Sequence, residues 1–423
     1  MIKRSFFALS KPRLTYDMLD TSLQSAEELA VPGSLTLLLS EEIDSAKKAL
    51  IGPGDAVKKG QKLKLYEDST PYVLSPVAGT IKGFDSYSDD FGNKATYILI
   101  KPDPAVKADD QWAQTNLEET LEFVADYLGQ IPGALPVSTL TNPNYAIRTI
   151  VVTGADTDIL CDTCQFVCTA YAGLMVAGAK ILKAMTQADR ICITVPENLS
   201  AQMDLAGFNV LRTSDTYPST LPAMVMKDHL GKELSPGAIP EDAGVCFVSP
   251  EALVSLARTY ETGNPVFDKI VTLIDKGGKK YRVKATIGTP ISKIFSCFNV
   301  QINERDRIII GGPMRGFATY TVHHPVVPDM DTIIVQDRDV IPELSDNACV
   351  NCGECVRICP ANVPVNLLVR YLEANLYEEA ADRFDLESCI ECGLCGYVCR
   401  ARIPLYQYIR LGKHELLTLR ENA

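Results

Sequence analysis

The chain is short of positive charge. Its 53 acidic residues outnumber 41 basic ones, giving a formal net charge of −12 and a pI near 5.0. Phosphate binding is driven by clustered Lys and Arg that release counterions, so this balance argues against nucleic acid as a partner. A spanning hydrophobic run is missing as well. The most apolar uncharged stretch, residues 163–179, holds 17 residues and includes Gln165 and two glycines, short of the ~20 mainly apolar residues a membrane helix needs. The N-terminus, MIKRSFFALSKPRL, carries basic residues but too weak an apolar core for a signal peptide, so no export is expected. Histidine is scarce, with His229, His323, His324 and His414 in all. The pair His323-His324 precedes Pro325 with no carboxylate or cysteine neighbour to complete a ligand set, and no catalytic role is assigned to it.

Cysteine, in contrast, is plentiful, with fourteen residues. Eight of them form two runs, Cys349, Cys352, Cys355, Cys359-Pro360 and Cys389, Cys392, Cys395, Cys399, spaced by two, two and three residues. That spacing wraps thiolates round an iron-sulfide cubane, and in paired form the fourth cysteine of each run ligates the other cluster. Cys349, Cys352, Cys355 and Cys399 are thus expected to hold one 4Fe-4S cluster, and Cys389, Cys392, Cys395 and Cys359 a second. Paired CxxC also binds structural zinc, but zinc has no use for a three-cysteine run plus a distant fourth. The chain is far larger than disulfide-stapled mini-domains, which implies a reducing, cytoplasmic compartment.

The expected architecture is multidomain, α/β plus β. Residues 1–102 read as short strands between turns, including Gly54-Asp-Ala-Val57, Gly60, Leu63 and Ser75-Pro-Val-Ala-Gly79. This unit looks like the barrel-sandwich hybrid of biotinyl and lipoyl carriers, unmodified, since Pro71 and Tyr72 stand where the attachment turn would be. A Pro- and Asp-rich connector, residues 101–111, marks a boundary. Over 112–240 helical periodicity (residues 117–128 and 171–185) alternates with strand candidates (148–153, 191–195 and 208–211), which predicts a parallel α/β domain. Strands return within 241–335. Residues 340–423 are expected to form an α-helical dicluster ferredoxin, with one helix from Val365 to Arg383 between the cysteine runs.

With the SPVAG hairpin, the IGTPIS segment (287–292), the GGPMRGF segment (311–317) and the dicluster tail, most of the chain resembles the C subunit of Rnf-type ferredoxin:NAD oxidoreductases. The resemblance implies that IGTPIS and GGPM belong to a β-grasp unit of the SLBB kind, shared with the flavin subunit of respiratory complex I. It also implies an α/β domain that binds FMN and NADH, with Gly154, Asp156 and Asp158 as the flavin-contacting candidates. The family's motifs for this have diverged here. Its glycine-rich loop corresponds to Gly129-Gln-Ile-Pro-Gly-Ala-Leu-Pro136, its Glu-Cys-Glu-Pro run to Asp156-Thr157-Asp158-Ile159, and its Tyr-Pro-Gln-Gly-Gly-Glu segment to Tyr217-Pro-Ser-Thr-Leu-Pro222. Few glycines remain to let backbone amides cradle phosphate. FMN stays an open cofactor on this reading, and NADH is not expected.

In the same neighbourhood stands Cys161-Asp-Thr-Cys164-Gln-Phe-Val-Cys168 at the start of a predicted helix, where offsets of three and seven share a face and amide dipoles favour thiolate. Three readings stay open: inert core cysteines, a third Fe-S cluster completed by Cys192, Cys246 or Cys297, or a Cys161/Cys164 dithiol that cycles with a disulfide. The expected function is a peripheral electron-transfer subunit of an Rnf-like membrane oxidoreductase, held at the inner membrane by membrane partner subunits and exchanging electrons with a soluble redox partner. The alternative is a soluble reductase-associated protein that uses a flavin or the dithiol.

Overall fold

The computed structural model describes residues 11–20, 22, 25–103, 127–197, 199 and 205–421. The helix expected at 117–128 falls almost entirely outside that set. The first seven strands are β1 (Glu27–Glu28), β2 (Leu35–Leu39), β3 (Ala56–Val57), β4 (Lys62–Leu63), β5 (Val73–Leu74), β6 (Gly79–Ser88) and β7 (Lys94–Pro102). An antiparallel sheet of order β2-β7-β6-β3 packs with the β4–β5 hairpin round Leu37, Leu39, Leu63, Leu65, Ile81, Ile98 and Ile100. β1 does not join it: Glu27 pairs with Val283, and Thr15 bridges to Thr216. Thr15 and β1 therefore pair with later units and not with the barrel sheet.

The central sheet is built from β8 (Thr149–Val152), β9 (Arg190–Pro196), β10 (Asn209–Thr213) and β11 (Val245–Val248), all parallel, in the order β10-β9-β8-β11. TIVV is buried throughout and RICITVP from Ile191 to Val195, as a parallel sheet covered on both faces requires. Helices α1 (Thr163–Ala170) and α2 (Ala172–Met185) lie on one face with α4 (Pro250–Thr262), while α3 (Pro222–Leu230) lies on the other. Ser249 caps α4 by accepting from Ala252 N, Pro250 opens it, and Gly263 ends it in the left-handed conformation. A side chain at Gly178 of α2 would meet the Leu253 carbonyl of α4 at 2.0 Å, so only glycine allows this approach. β11 and α4 carry the central unit past residue 240, where its boundary was expected. The VCFV strand is too short to assign to either unit from its pattern, and its pairing with β8 decides.

A six-stranded mixed sheet follows, from β12 (Asp268–Ile274), β13 (Lys280–Thr286), β14 (Arg307–Ile310), β15 (Phe317–Thr319) and β16 (Thr332–Gln336), with β1 at its edge and α5 (Ile291–Cys297) packed on it. A buried ionic seam joins it to the central unit. Lys269, wholly buried, meets Glu251 and Asp331, and Arg282 donates to Asp162 at 3.0 Å. The C-terminal unit is helical: α6 (Glu354–Ile358), α7 (Val365–Glu373), α8 (Tyr377–Phe384), α9 (Leu394–Val398) and α10 (Leu405–Glu421). The single helix expected over 365–383 is two helices, broken at Asn375, whose φ is 57°. Asn tolerates the left-handed region better than other side chains, so an Asn inside a helical pattern is a weak stop signal that apolar spacing alone hides.

Candidate iron-sulfur centres

The two cysteine runs are one backbone written twice, forty residues apart. Asn351 and Glu391, Gly353 and Gly393, and Asn362 and Arg402 take matching left-handed φ values of 53° and 52°, 73° and 73°, and 56° and 56°. In each copy the glycine turns the chain into a short helix, α6 or α9, that carries the third cysteine, and the fourth follows at its end. At Gly393 the turn is also a close approach, since a side chain there would stand 2.6 Å from the Met314 carbonyl.

The fourth cysteines are exchanged between copies. Cys349, Cys352, Cys355 and Cys399 line one small cavity together with Val350, Glu354 and Arg400. Burial pushes the Cys355 thiol up to about 11, and the nearness of Cys349 and Cys352 adds to the shift. In the other group, burial pushes the Cys392 thiol up to about 11, with Cys389 and Cys359 acting in the same direction. Cys395 is raised by burial and by the same neighbours. Metal ligation reverses such shifts, because thiols give up their protons on binding iron. Four sulfurs per group, with neighbouring amides such as that of Glu391 directed at sulfur (3.4 Å to Cys389 Sγ), are the donor set of a 4Fe-4S cubane.

The two groups differ in depth. Cys352 is exposed and Cys349 half-buried in the outer group, whereas Cys392 and Cys395 of the inner one are buried. The inner group lies against the central unit and the GGPMRG turn. Tyr217 Oη donates to the Cys392 carbonyl at 2.6 Å, and Tyr217, Leu221, Ile358, Leu394, Val398 and Met314 form one apolar cluster round it. Lys413 Nζ donates to the Cys389 carbonyl (2.6 Å) and pairs with Glu391 at 2.9 Å. Motif spacing gives no hint of Tyr217 or Lys413, since both reach the site through the fold.

Residues 18–105 match the family model described as RnfC barrel sandwich hybrid domain, and residues 341–400 match the one described as 4Fe-4S dicluster domain. The C subunit of the ion-translocating oxidoreductase complex of Vibrio cholerae is 27% identical over 378 residues, 84% of this chain and 48% of that protein. The C subunit of the proton-translocating ferredoxin:NAD(+) oxidoreductase complex of Clostridium ljungdahlii is 22% identical over 414 residues, 93% of this chain and 91% of that one. The chain is an RnfC-like protein. It spans about half the length of the Vibrio relative. A crystal structure of an NAD+-reducing NiFe-hydrogenase in the H2-reduced state superposes with a TM-score of 0.43 at 14% identity, over 71% of this chain and 65% of that one. Among the described residues no single helix of this RnfC-like chain is long and apolar enough to cross a membrane; α1 and α2 pass together but are bent by 91°.

The residues that the RnfC resemblance marks for FMN do not fit it. Nucleotides bind parallel sheets at the carboxyl ends of the strands. Here the space at that edge, among Tyr16, Asp156, Gln165, Pro196, Thr213 and Thr220, is about 20 Å³, room for roughly one water, against ~300–1,000 Å³ for ordinary ligand sites. Gly154 has no free side, since a side chain there would meet the Thr194 carbonyl at 2.5 Å. Asp156 is buried and accepts from Cys164 N (2.9 Å), Gln165 N (3.3 Å) and Gln165 Nε2 (3.1 Å), so it caps α1. Asp158 accepts from Arg315 N at 2.7 Å and Met314 N at 3.2 Å, tying this loop to the GGPMRG turn. Burial pushes both carboxyls up to about 6. The Gly129–Pro136 segment is packed into the core through Ile131 and Leu135, with Gly133 N donating to the Pro328 carbonyl at 2.8 Å.

The CDTCQFVC cysteines also depart from expectation. Cys161 precedes α1, so only Cys164 and Cys168 share the helix, and all three are buried. Burial raises each thiol, and the carboxylate of Asp156 raises them further. The amide dipoles expected to favour thiolate are taken by Asp156. Of the partners considered for a third cluster, Cys192 lies on β9 and Cys246 on β11, both buried, while Cys297 is exposed at the end of α5.

Proposed function

We propose that this protein is the peripheral iron-sulfur subunit of an Rnf-like ion-translocating oxidoreductase, relaying electrons through two 4Fe-4S clusters without oxidising NADH itself. The observation that carries this reading is the exchange of fourth cysteines, Cys399 to the first group and Cys359 to the second, round one forty-residue backbone repeat. Cys349, Cys352, Cys355 and Cys399 would hold the outer cluster, and Cys389, Cys392, Cys395 and Cys359 the inner one. Such clusters accept and release one electron at a time. The chain's own residues set depth and contact: Tyr217 holds the inner group against the central unit, Met314 packs on it from the GGPMRG turn, Lys413 braces it from α10, and the exposed Cys352 leaves the outer group open to a redox partner. The six-stranded sheet, which we read as an enlarged β-grasp unit, supplies the GGPMRG turn on which Gly393 rests.

On this reading the subunit works at the cytoplasmic face of the inner membrane, held there by membrane subunits, and a soluble protein supplies or takes its electrons. The alternative through a flavin or the Cys161/Cys164 dithiol finds no support in a filled crevice and buried, protonated thiols. The test is iron and acid-labile sulfide analysis of anaerobically purified protein, followed by absorbance with dithionite and with NADH. About eight irons per chain, bleached by dithionite and left unchanged by NADH, is the expected outcome. Colourless protein, or bleaching by NADH alone, overturns it.

A further inference from the structure

The carboxyl edge of the central sheet is filled by the chain itself. Residues 13–20 form a strap across the ends of β9 and β10. Tyr16 N donates to the Asp215 carbonyl and Tyr217 N to the Leu14 carbonyl, both at 2.9 Å. Leu19 N donates to Gln165 Oε1 at 3.1 Å, and Gln165 Nε2 donates back to the Asp17 carbonyl at 3.0 Å. Ion pairs pin the strap to two units, Arg13 to Asp215 and Asp17 to Lys280, each at 2.9 Å. Its side chains are anchored as well: Leu14 and Tyr16 enter the apolar cluster of Tyr217 and Cys392, and Leu19 packs on the central core.

A second, independent observation lies beneath the strap. A phosphate binds a parallel α/β unit through free amides at a helix N-terminus or in a turn. In this chain those amides already hold anions, the Asp156 carboxylate on Cys164 N and Gln165 N and the Asp158 carboxylate on Met314 N and Arg315 N. Carboxylates fixed on the same chain compete with a free phosphate at the effective concentration of an intramolecular contact.

We infer that the strap of residues 13–20, with the carboxylates of Asp156 and Asp158, is the resident occupant of this crevice and takes the place of a nucleotide. The inference rests on the proposed relay function in one respect, the absence of hydride chemistry, and it explains that absence. The chain then receives electrons only from a protein partner, never from a bound nicotinamide or flavin.

Amide hydrogen exchange on the cluster-loaded full chain tests this, with and without FMN or NADH at about 1 mM, the upper end of ordinary small-substrate affinities. The amides of Tyr16, Leu19 and Tyr217 are expected to exchange at least about a hundredfold more slowly than unstructured chain, with no change on adding either nucleotide. Gln165→Ala removes the latch without touching a cysteine. Its strap amides are expected to exchange about tenfold faster, with iron content unchanged and FMN fluorescence still unquenched, because Asp156 and Asp158 keep their amides. Faster strap exchange on adding nucleotide, FMN retained one per chain through gel filtration, or FMN binding by Gln165→Ala would each overturn the inference. A protein that lacks iron fails the relay reading instead, so the two failures are told apart.

Discussion

The eight cysteines of residues 349–399 and the three of residues 161–168 differ in what surrounds their sulfur. The first set hangs on short helices entered through left-handed glycines, half-open to solvent on the outer side and faced by backbone amides. The second is shut inside the central core, close to the carboxylates of Asp156 and Asp331, with every thiol raised by burial. Sulfur is available as a ligand where the backbone repeats a cage round it; enclosed in a core beside carboxylates, it behaves as a small apolar side chain.

Breaking the first set should have the largest effect. Cys359→Ala is expected to lower iron from about eight to about four per chain, and electron paramagnetic resonance should show that the surviving signal belongs to the Cys349, Cys352, Cys355, Cys399 group. Loss of the cluster of its own run would refute the exchange of fourth ligands. Next comes the charge beside the second set: Lys269→Met leaves the buried Glu251 and the half-exposed Asp331 without their cation. The uncompensated charge of the buried Glu251 should cost about 3–5 kcal/mol in urea unfolding, while iron bound per folded chain stays constant.

The acids near the central cysteines give a pH signature. Asp156 and Asp158 titrate at about 6 in the fold, above the ordinary aspartate value of 3.8. The folded chain therefore binds these protons more tightly than the unfolded chain. Their contribution is complete below the unfolded value and is lost as pH rises through about 6. Unfolding free energy in urea at pH 5 should exceed that at pH 7 by about 1 kcal/mol per group, and Asp156→Asn should roughly halve that difference. The smallest effect belongs to the central thiols. In native protein at pH 8, Cys297 should alkylate first and Cys161, Cys164 and Cys168 only on unfolding, while Cys168→Ala should cost about 1 kcal/mol and no iron. Rapid labelling of Cys164 would restore the dithiol reading.

Much of this was legible in residue order. Local spacing predicts the cluster runs because each ligand lies within a few residues of the next, and TIVV and RICITVP announce buried parallel strands. Asn375 and β11 were harder, because a one-residue helix break and a four-residue strand carry little pattern of their own. The roles of Asp156 and Asp158 were not legible. Their spacing matched a flavin-lining pair, but the partners that claim them, the first turn of α1 and the GGPMRG turn, were not implied by that spacing.

By itself the sequence determined the cysteine repeat, the alternation that builds a parallel sheet and the acidic balance, because each depends on short-range periodicity or composition. Only the tertiary structure decided which cysteines stay buried, which cluster group faces the central unit, and what fills the crevice. Those outcomes depend on contacts between residues as distant as Leu19 and Gln165 or Tyr217 and Cys392, and no local pattern encodes who arrives first at a shared amide.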